Sequence, residues 1–245
     1  MRKIILLLIS VLLFGCNSAE DCFKNSGDLV TKNIEIQDFI KVKMHGGLAL
    51  VVKQGVNYEV KIEGGSNFID NIELKKEGDF LIARYNASCN FTRDYKAGTI
   101  YITAPNIEEI HSKTEQDIKS DGQLSFPILR LFSLDEAGGE TGSGDFYLNL
   151  ANNQTVVETN FVSNFYLSGT CNQFLCNFYF GNSRVLAENF SCQEIVVYHR
   201  GSNDMILKPI QSITGQMRSS GNVILKNNPP VNTIQRLGTG QIIFN

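Results

Sequence analysis

Residues 34–104 carry short runs in which apolar and polar positions alternate: IEIQDFIKVKM, LALVVKQ, YEVKIEG, FLIARY and TIYITAP. Turn signals separate them, among them His45-Gly46-Gly47, Gln54-Gly55, Gly64-Gly65 and Glu77-Gly78-Asp79. A period of two, as in Val60/Ile62 and Ile100/Ile102, is the mark of strands that bury one face. No stretch holds an i, i+3, i+4, i+7 apolar pattern with caps, so helices are expected to be short at most and the fold all-β.

After Pro105 the chain repeats. Aligned on the residue that follows a Gly/Ser/Asn-rich turn, it gives Asp117, Asp145, Asn164, Arg184, Asp204, Asn222 and Gln241, at steps of 28, 19, 20, 20, 18 and 19. Strand-rich repeats near 20 residues point to a parallel β-solenoid, in which each coil buries its apolar face by stacking on its neighbours. Residues 34–104 then form early coils or a strand cap, and 105–245 the regular coils. The 28-residue step holds an insertion, residues 135–144, expected to be a loop.

Each repeat shows which side chains should point inward. The position after the anchor reads Ile118, Phe146, Phe165, Val185, Met205, Val223 and Ile242, and the third position reads Ser120, Leu148, Leu167, Ala187, Leu207, Leu225 and Phe244. Alternate strand residues share a face, so these two columns are the expected core. The column between them should face out, yet it reads Lys119, Tyr147, Tyr166, Leu186, Ile206, Ile224 and Ile243. An outward apolar stripe is either covered by the same chain or a second copy, or it is a binding surface. Tyr147, Tyr166, Leu186 and Ile206 are therefore the candidate binding residues.

The N-terminus adds an address. Arg2 and Lys3 precede an apolar run, Ile4 to Phe14, shorter than the roughly 20 residues a spanning helix needs, which reads as the h-region of a signal peptide over residues 1–15. The run ends in Leu13-Phe14-Gly15-Cys16, the spacing of a bacterial lipobox, and Cys16 is the expected acylation site; an ordinary secretory peptide is the alternative. Residues 16–33 are polar and read as a tether, so the partner at this end is a membrane, reached through lipid. The chain of 245 residues carries 22 basic and 25 acidic groups, a net charge of −3 that provides no electrostatic reason to bind nucleic acid.

The lipoprotein-like signal, the stretches FIKVKMHGGLALVVKQG and TIYITAPNIEEI, and the Gly-Ser-Asn repeats ending in GTGQIIFN together resemble the putative auto-transporter adhesin, head GIN domain family. The similarity covers residues 34–245. It implies a secreted or surface lipoprotein with a β-helix-like fold, and it brings no activity and no catalytic residue. Val162-Ser163-Asn164, where the usual Gly-Ser-Gly-like turn is degraded, and the extra cysteines depart from the family pattern.

The remaining chemistry is sparse. β-Helix polysaccharide lyases and hydrolases gather carboxylates on adjacent coils, but Asp145 and Asp204 stand three coils apart, about 14 Å at the usual strand spacing. Turn capping is the simpler role for the Asp and Asn of the anchor column. Asp135, Glu136 and Glu140 could hold Ca²⁺ but lack the spacing of an EF-hand loop. His45, His111 and His199 are scattered, the last two on polar stretches expected to be solvated, and no metal or cofactor site is expected. Gly142-Ser143-Gly144 lacks the strand–turn–helix setting of a nucleophile elbow.

With Cys16 acylated, Cys22, Cys89, Cys171, Cys176 and Cys192 remain, an odd number. Cys171 and Cys192 fall at nearly the same place on adjacent coils and either pair as a disulfide or stay as buried thiols. Cys176 reads as core. The sequence thus points to a non-catalytic, lipid-anchored adhesin or protein- or glycan-binding protein of the cell envelope and outer membrane, with self-association open. A carbohydrate-active β-helix enzyme is the alternative.

Overall fold

The computed structural model describes residues 25–86, 96–135 and 142–245. Its strands are β1 (Leu29–Ile34), β2 (Lys41–His45), β3 (Leu48–Gln54), β4 (Glu59–Gly65), β5 (Ile72–Glu77), β6 (Phe80–Tyr85), β7 (Gly98–Ala104), β8 (Glu109–Lys113) and β9 (Ile118–Leu124), continuing with β10 (Ile128–Ser133), β11 (Phe146–Thr159), β12 (Asn164–Phe178), β13 (Arg184–His199), β14 (Met205–Met217), β15 (Val223–Leu225), β16 (Val231–Arg236) and β17 (Ile242–Phe244). Among the described residues the only helical element is a three-residue 3-10 turn, Ile69–Asn71. The fold is all-β, as the alternation requires.

The pairing separates into two layers. In the first, β1, β4, β7, β3 and β9 lead to the N-terminal halves of β11 to β14, then to β15 and β17. In the second, β5, β6, β2, β8 and β10 lead to the C-terminal halves of β11 to β14 and then to β16. The long strands bend through both layers, so one continuous sheet curls over on itself. The layers face each other across the core: Phe165 in the first lies 6.3 Å from Phe178 in the second, ring centre to ring centre.

From β9 onward all pairing is parallel, and its register reproduces the sequence alignment: Ile118 pairs with Phe146, then Phe165, Val185, Met205, Val223 and Ile242 in turn. The first six of these are fully buried. Phe146 and Phe165 stack at 4.7 Å, since parallel in-register strands carry identical positions one strand spacing apart. The third-position column is buried from Leu148 to Leu225, but Ser120 is half-buried and Phe244 is 55% exposed. Ser120 instead accepts a hydrogen bond from the Asn149 N–H.

The anchor column fastens one strand to the next. Asp145 accepts from both the backbone N–H and the side-chain amide of Asn164, at 2.8 and 3.0 Å. Asp204 holds Asn222 in the same way, at 3.1 and 2.9 Å, and Asn222 in turn accepts from the Gln241 N–H. These side chains cap the neighbouring turn, 18 or 19 residues on, rather than their own. Gly215, at φ +123°, shows how tightly the strands meet, for a Cβ there would lie 1.9 Å from the Val197 carbonyl oxygen.

The first half departs from the expectation of successive early coils or a cap. β2 lies between β6 and β8, and β3 between β7 and β9, so the chain lays β6 and β7 on one side of the β2/β3 pair and returns to lay β8 and β9 on the other. β4, β5 and β1 then add antiparallel strands at the outside. The chain is thus a curled sheet of mixed pairing rather than a uniform parallel stack from residue 34 on. The expected tether also ends early: residues 29–33 belong to β1, which pairs with β4.

Candidate functional site

The outward column forms one continuous row across the first layer. Successive register partners run Asn33, Lys61, Tyr101, Val51, Lys119, Tyr147, Tyr166, Leu186, Ile206, Ile224 and Ile243. Tyr147 and Tyr166 remain 39% and 38% exposed, so no described segment covers them. Leu186, Ile206 and Ile224 are half-buried by their own neighbours in the sheet. The four candidate binding residues are therefore brought together side by side on an open face.

The ring geometry limits what this face can hold. Tyr147 and Tyr166 stack at 4.6 Å with planes 2° apart, and the Lys119 ammonium lies 5.2 Å from the Tyr147 ring centre. Tyr147 thus has a neighbour on each ring face, Lys119 and Tyr166, and Tyr166 has Tyr147 on one. Partial burial, then the nearby Asp117 and Asp145 charges, raise the Tyr147 hydroxyl pKa, so it stays a neutral donor. Beside the pair a shallow groove is lined by Ser120, Asn149, Ser168, Leu186 and Asn189. At the far end of the row the Lys61 ammonium sits 4.5 Å above Tyr101, whose hydroxyl donates to Glu63 at 3.1 Å.

Other expected positions divide. Cys16, Cys22 and Cys89 lie outside the described residues, as do Glu136 and Glu140 of the expected loop. Cys171 and Cys192 are direct register partners on β12 and β13, both buried and both free thiols. The Cys192 S–H donates to Cys171, which lowers the Cys171 pKa to about 7. Burial raises the pKa of Cys192 and of Cys176, the latter fully enclosed in the core.

Two histidines are not solvated as expected. His199 is 1% exposed, edge-on to Phe178 at 5.8 Å, and burial lowers its pKa. His111 is wedged between Phe80 and Phe132, at 5.3 and 4.4 Å, on the outward face of the second layer. Its Nε2 lies 2.8 Å from Glu109, whose other oxygen meets Lys41 at 3.0 Å. Burial pushes the Glu109 pKa up, but His111 and Lys41 together outweigh it and hold the carboxylate ionised. The Glu-x-His spacing places both residues on one strand face, whereas their aromatic flanks come from β6 and β10, far off in sequence. Among the described residues no three His, Cys, Asp or Glu side chains converge as a metal site.

The sequence matches the family described as putative auto-transporter adhesin, head GIN domain, over residues 38–229. The chain belongs to this head GIN domain family. A solved structure of a putative adhesin from Bacteroides fragilis resembles it at a TM-score of 0.80 with 19% identity, over 91% of this chain and all of that one. A putative adhesin from Parabacteroides distasonis gives 0.63 with 11% identity, over 90% and 99% of the two chains. A putative lipid binding protein from the same species gives 0.64 with 12% identity, over 90% and 100%. At such identities the likeness is one of fold. No curated protein matches the chain at a significant level.

Proposed function

We propose that this head GIN domain protein is a non-catalytic binding protein of the cell envelope, an adhesin-type module that presents the first layer's outward face to a protein partner. Acylation at Cys16 would hold it to the membrane. In this reading residues 146–245 act as solenoid coils of about 20 residues, whose role is to repeat one outward position at each strand spacing and so build a flat, extended row.

The stacked pair Tyr147 and Tyr166 carries the proposal. A sugar ring binds an aromatic residue through the ring face, and here the two tyrosines are stacked face to face while Lys119 lies over the other face of Tyr147. What remains is the tyrosine rims with their hydroxyls and the second face of Tyr166, continued by the aliphatic ridge Leu186, Ile206, Ile224 and Ile243. Tyrosine and aliphatic surface with a few polar donors is the composition of protein interfaces. The family membership supports the adhesive role, and it comes with no catalytic residue.

The test compares the wild-type chain with the Tyr147→Ser/Tyr166→Ser double variant on arrays of extracellular proteins and of glycans. The expected result is protein binding that falls more than tenfold in the variant. Losing the aromatic pair should cost only about 1–2 kcal/mol of stability, because both rings are partly exposed and sit on the sheet surface. Equal binding by the two proteins would refute the site, and glycan binding that survives the substitutions would move recognition elsewhere. One structural neighbour is described as lipid binding, so binding to vesicles in place of protein would reassign the ridge to lipid.

A further inference from the structure

The two ends of the curled sheet differ. Among the described residues β16 and β17 pair on one side only, with β14 and β15. At the opposite end β1 and β5 likewise pair on one side only, with β4 and β6. An edge strand shows a row of unmet N–H and C=O groups, and proteins that must not pair there place charges along it. β5 reads Ile-Glu-Leu-Lys-Lys-Glu, and β1 carries Lys32, which meets Asp70 at 3.2 Å. The other end has no such guard: residues 227–245 include one charged side chain, Arg236, and its guanidinium is turned back to the Gly240 carbonyl.

The same end leaves the core open. Phe244 and Ile242 occupy the inward columns, and Ile234 continues the inward row through Val197 and Gly215. Phe244 is 55% exposed, with no described strand stacked above it, and Val231, Leu237 and Ile243 of the same end are also exposed. The backbone is also free. Gln241 gives its carbonyl to Val223 and Asn245 gives its N–H to Leu225, so by strand alternation Ile242 and Phe244 direct their own N–H and C=O away from the sheet.

We propose that this end is an interface for a second copy of the chain, joined edge to edge by antiparallel pairing of β17, the strand that projects furthest along the stack, with its copy around a twofold axis. A twofold axis sets residue i against residue j and j against i, with only the residue on the axis facing its own copy, so an edge with few charges pairs with itself without opposing like charges. This edge carries one, already engaged, and is self-compatible. The opposite edge is instead guarded by the charged side chains of β5, which favour solvent over a paired edge. Pairing would cover Ile242 and Phe244 and satisfy the outward N–H and C=O groups of β17 together.

Sedimentation equilibrium of the full chain in density-matched detergent tests this. The wild type should sediment as a dimer, and Ile242→Lys should sediment as a monomer with an unchanged circular dichroism spectrum. Phe244→Pro gives a second route, since it deletes an outward N–H while leaving the ladder to β15 intact. Leu74→Lys, on the opposite edge, should leave the dimer in place. A monomeric wild type across the micromolar range would overturn the proposal. So would a ladder of higher oligomers, which signifies head-to-tail stacking, or dimers that survive both Ile242→Lys and Phe244→Pro.

Discussion

Phe165 offers the sharpest check on the register, because its cost can be set against a residue of the same type and column class that the structure leaves open. Phe165 is fully buried, stacked on Phe146 at 4.7 Å and facing Phe178 across the layers at 6.3 Å. Truncation to alanine removes a large side chain from a position sealed by strands on both sides, and the neighbouring backbones cannot close in without breaking the ladders to β11 and β13. The loss should therefore fall at about 3–5 kcal/mol, the range for Phe→Ala in a packed core. Phe244 also points inward but is 55% exposed, so Phe244→Ala should cost no more than about 1.5 kcal/mol. In urea, with a slope of about 3 kcal/mol per molar, Phe165→Ala should lower the midpoint by about 1–1.7 M and Phe244→Ala by less than about 0.5 M. Equal shifts for the two variants would refute the assignment of the inward columns and, with it, the outward row that depends on them.

Two further outcomes follow from the sequence signal and from the buried imidazole. Cys16→Ser should abolish labelling by a fatty-acid probe and release the protein from the membrane fraction; a variant that still labels would exclude acylation at this thiol. Burial lowers the His199 pKa below that of the unfolded chain, so the unfolded state takes up the proton first, and the stability His199 permits is complete above about pH 6.5 and declines as pH falls below it. Urea midpoints between pH 7.5 and 5 should show that decline in the wild type and a shallower one in His199→Phe, and parallel profiles would rule out His199 as its source.

The second half of the chain was legible because its information is local and repeated. One residue class recurs at each step, and parallel pairing converts the step directly into register, so Ile118 through Ile242 could be aligned without knowing any contact. The first half has the same strand signals but no repeat. There β3 pairs with both β7 and β9, and no local pattern says that the chain lays one pair on each side. His199 was legible by parity, two residues after the inward Val197 and four after Ile195, but its polar neighbours Tyr198 and Arg200 obscured it. The setting of His111 was not legible at all, because Phe80 and Phe132 reach it from other strands.

The two proposed surfaces meet at one residue, and this gives their combination a consequence. Ile243 ends the outward row that begins at Asn33 and also lies on β17, whose edge would pair with its copy. A twofold axis at that edge would continue the first layer of one chain into the first layer of the next, with the two tyrosine pairs facing the same side. Tyr166 and Ile243 are separated by four strand spacings, about 19 Å, so the tyrosine pairs of the two copies would lie roughly 40 Å or more apart. A partner that repeats along a surface can engage both at once, and the second contact then forms at the effective concentration set by the rigid sheet rather than by diffusion. Such a face would bind a dispersed partner weakly and a dense array of it strongly. Ile242→Lys should accordingly weaken attachment to a densely coated surface far more than binding to the same partner in dilute solution, while Tyr147→Ser/Tyr166→Ser weakens both alike. Equal losses in the two formats for Ile242→Lys would show that the edge contributes nothing to adhesion beyond its own pairing.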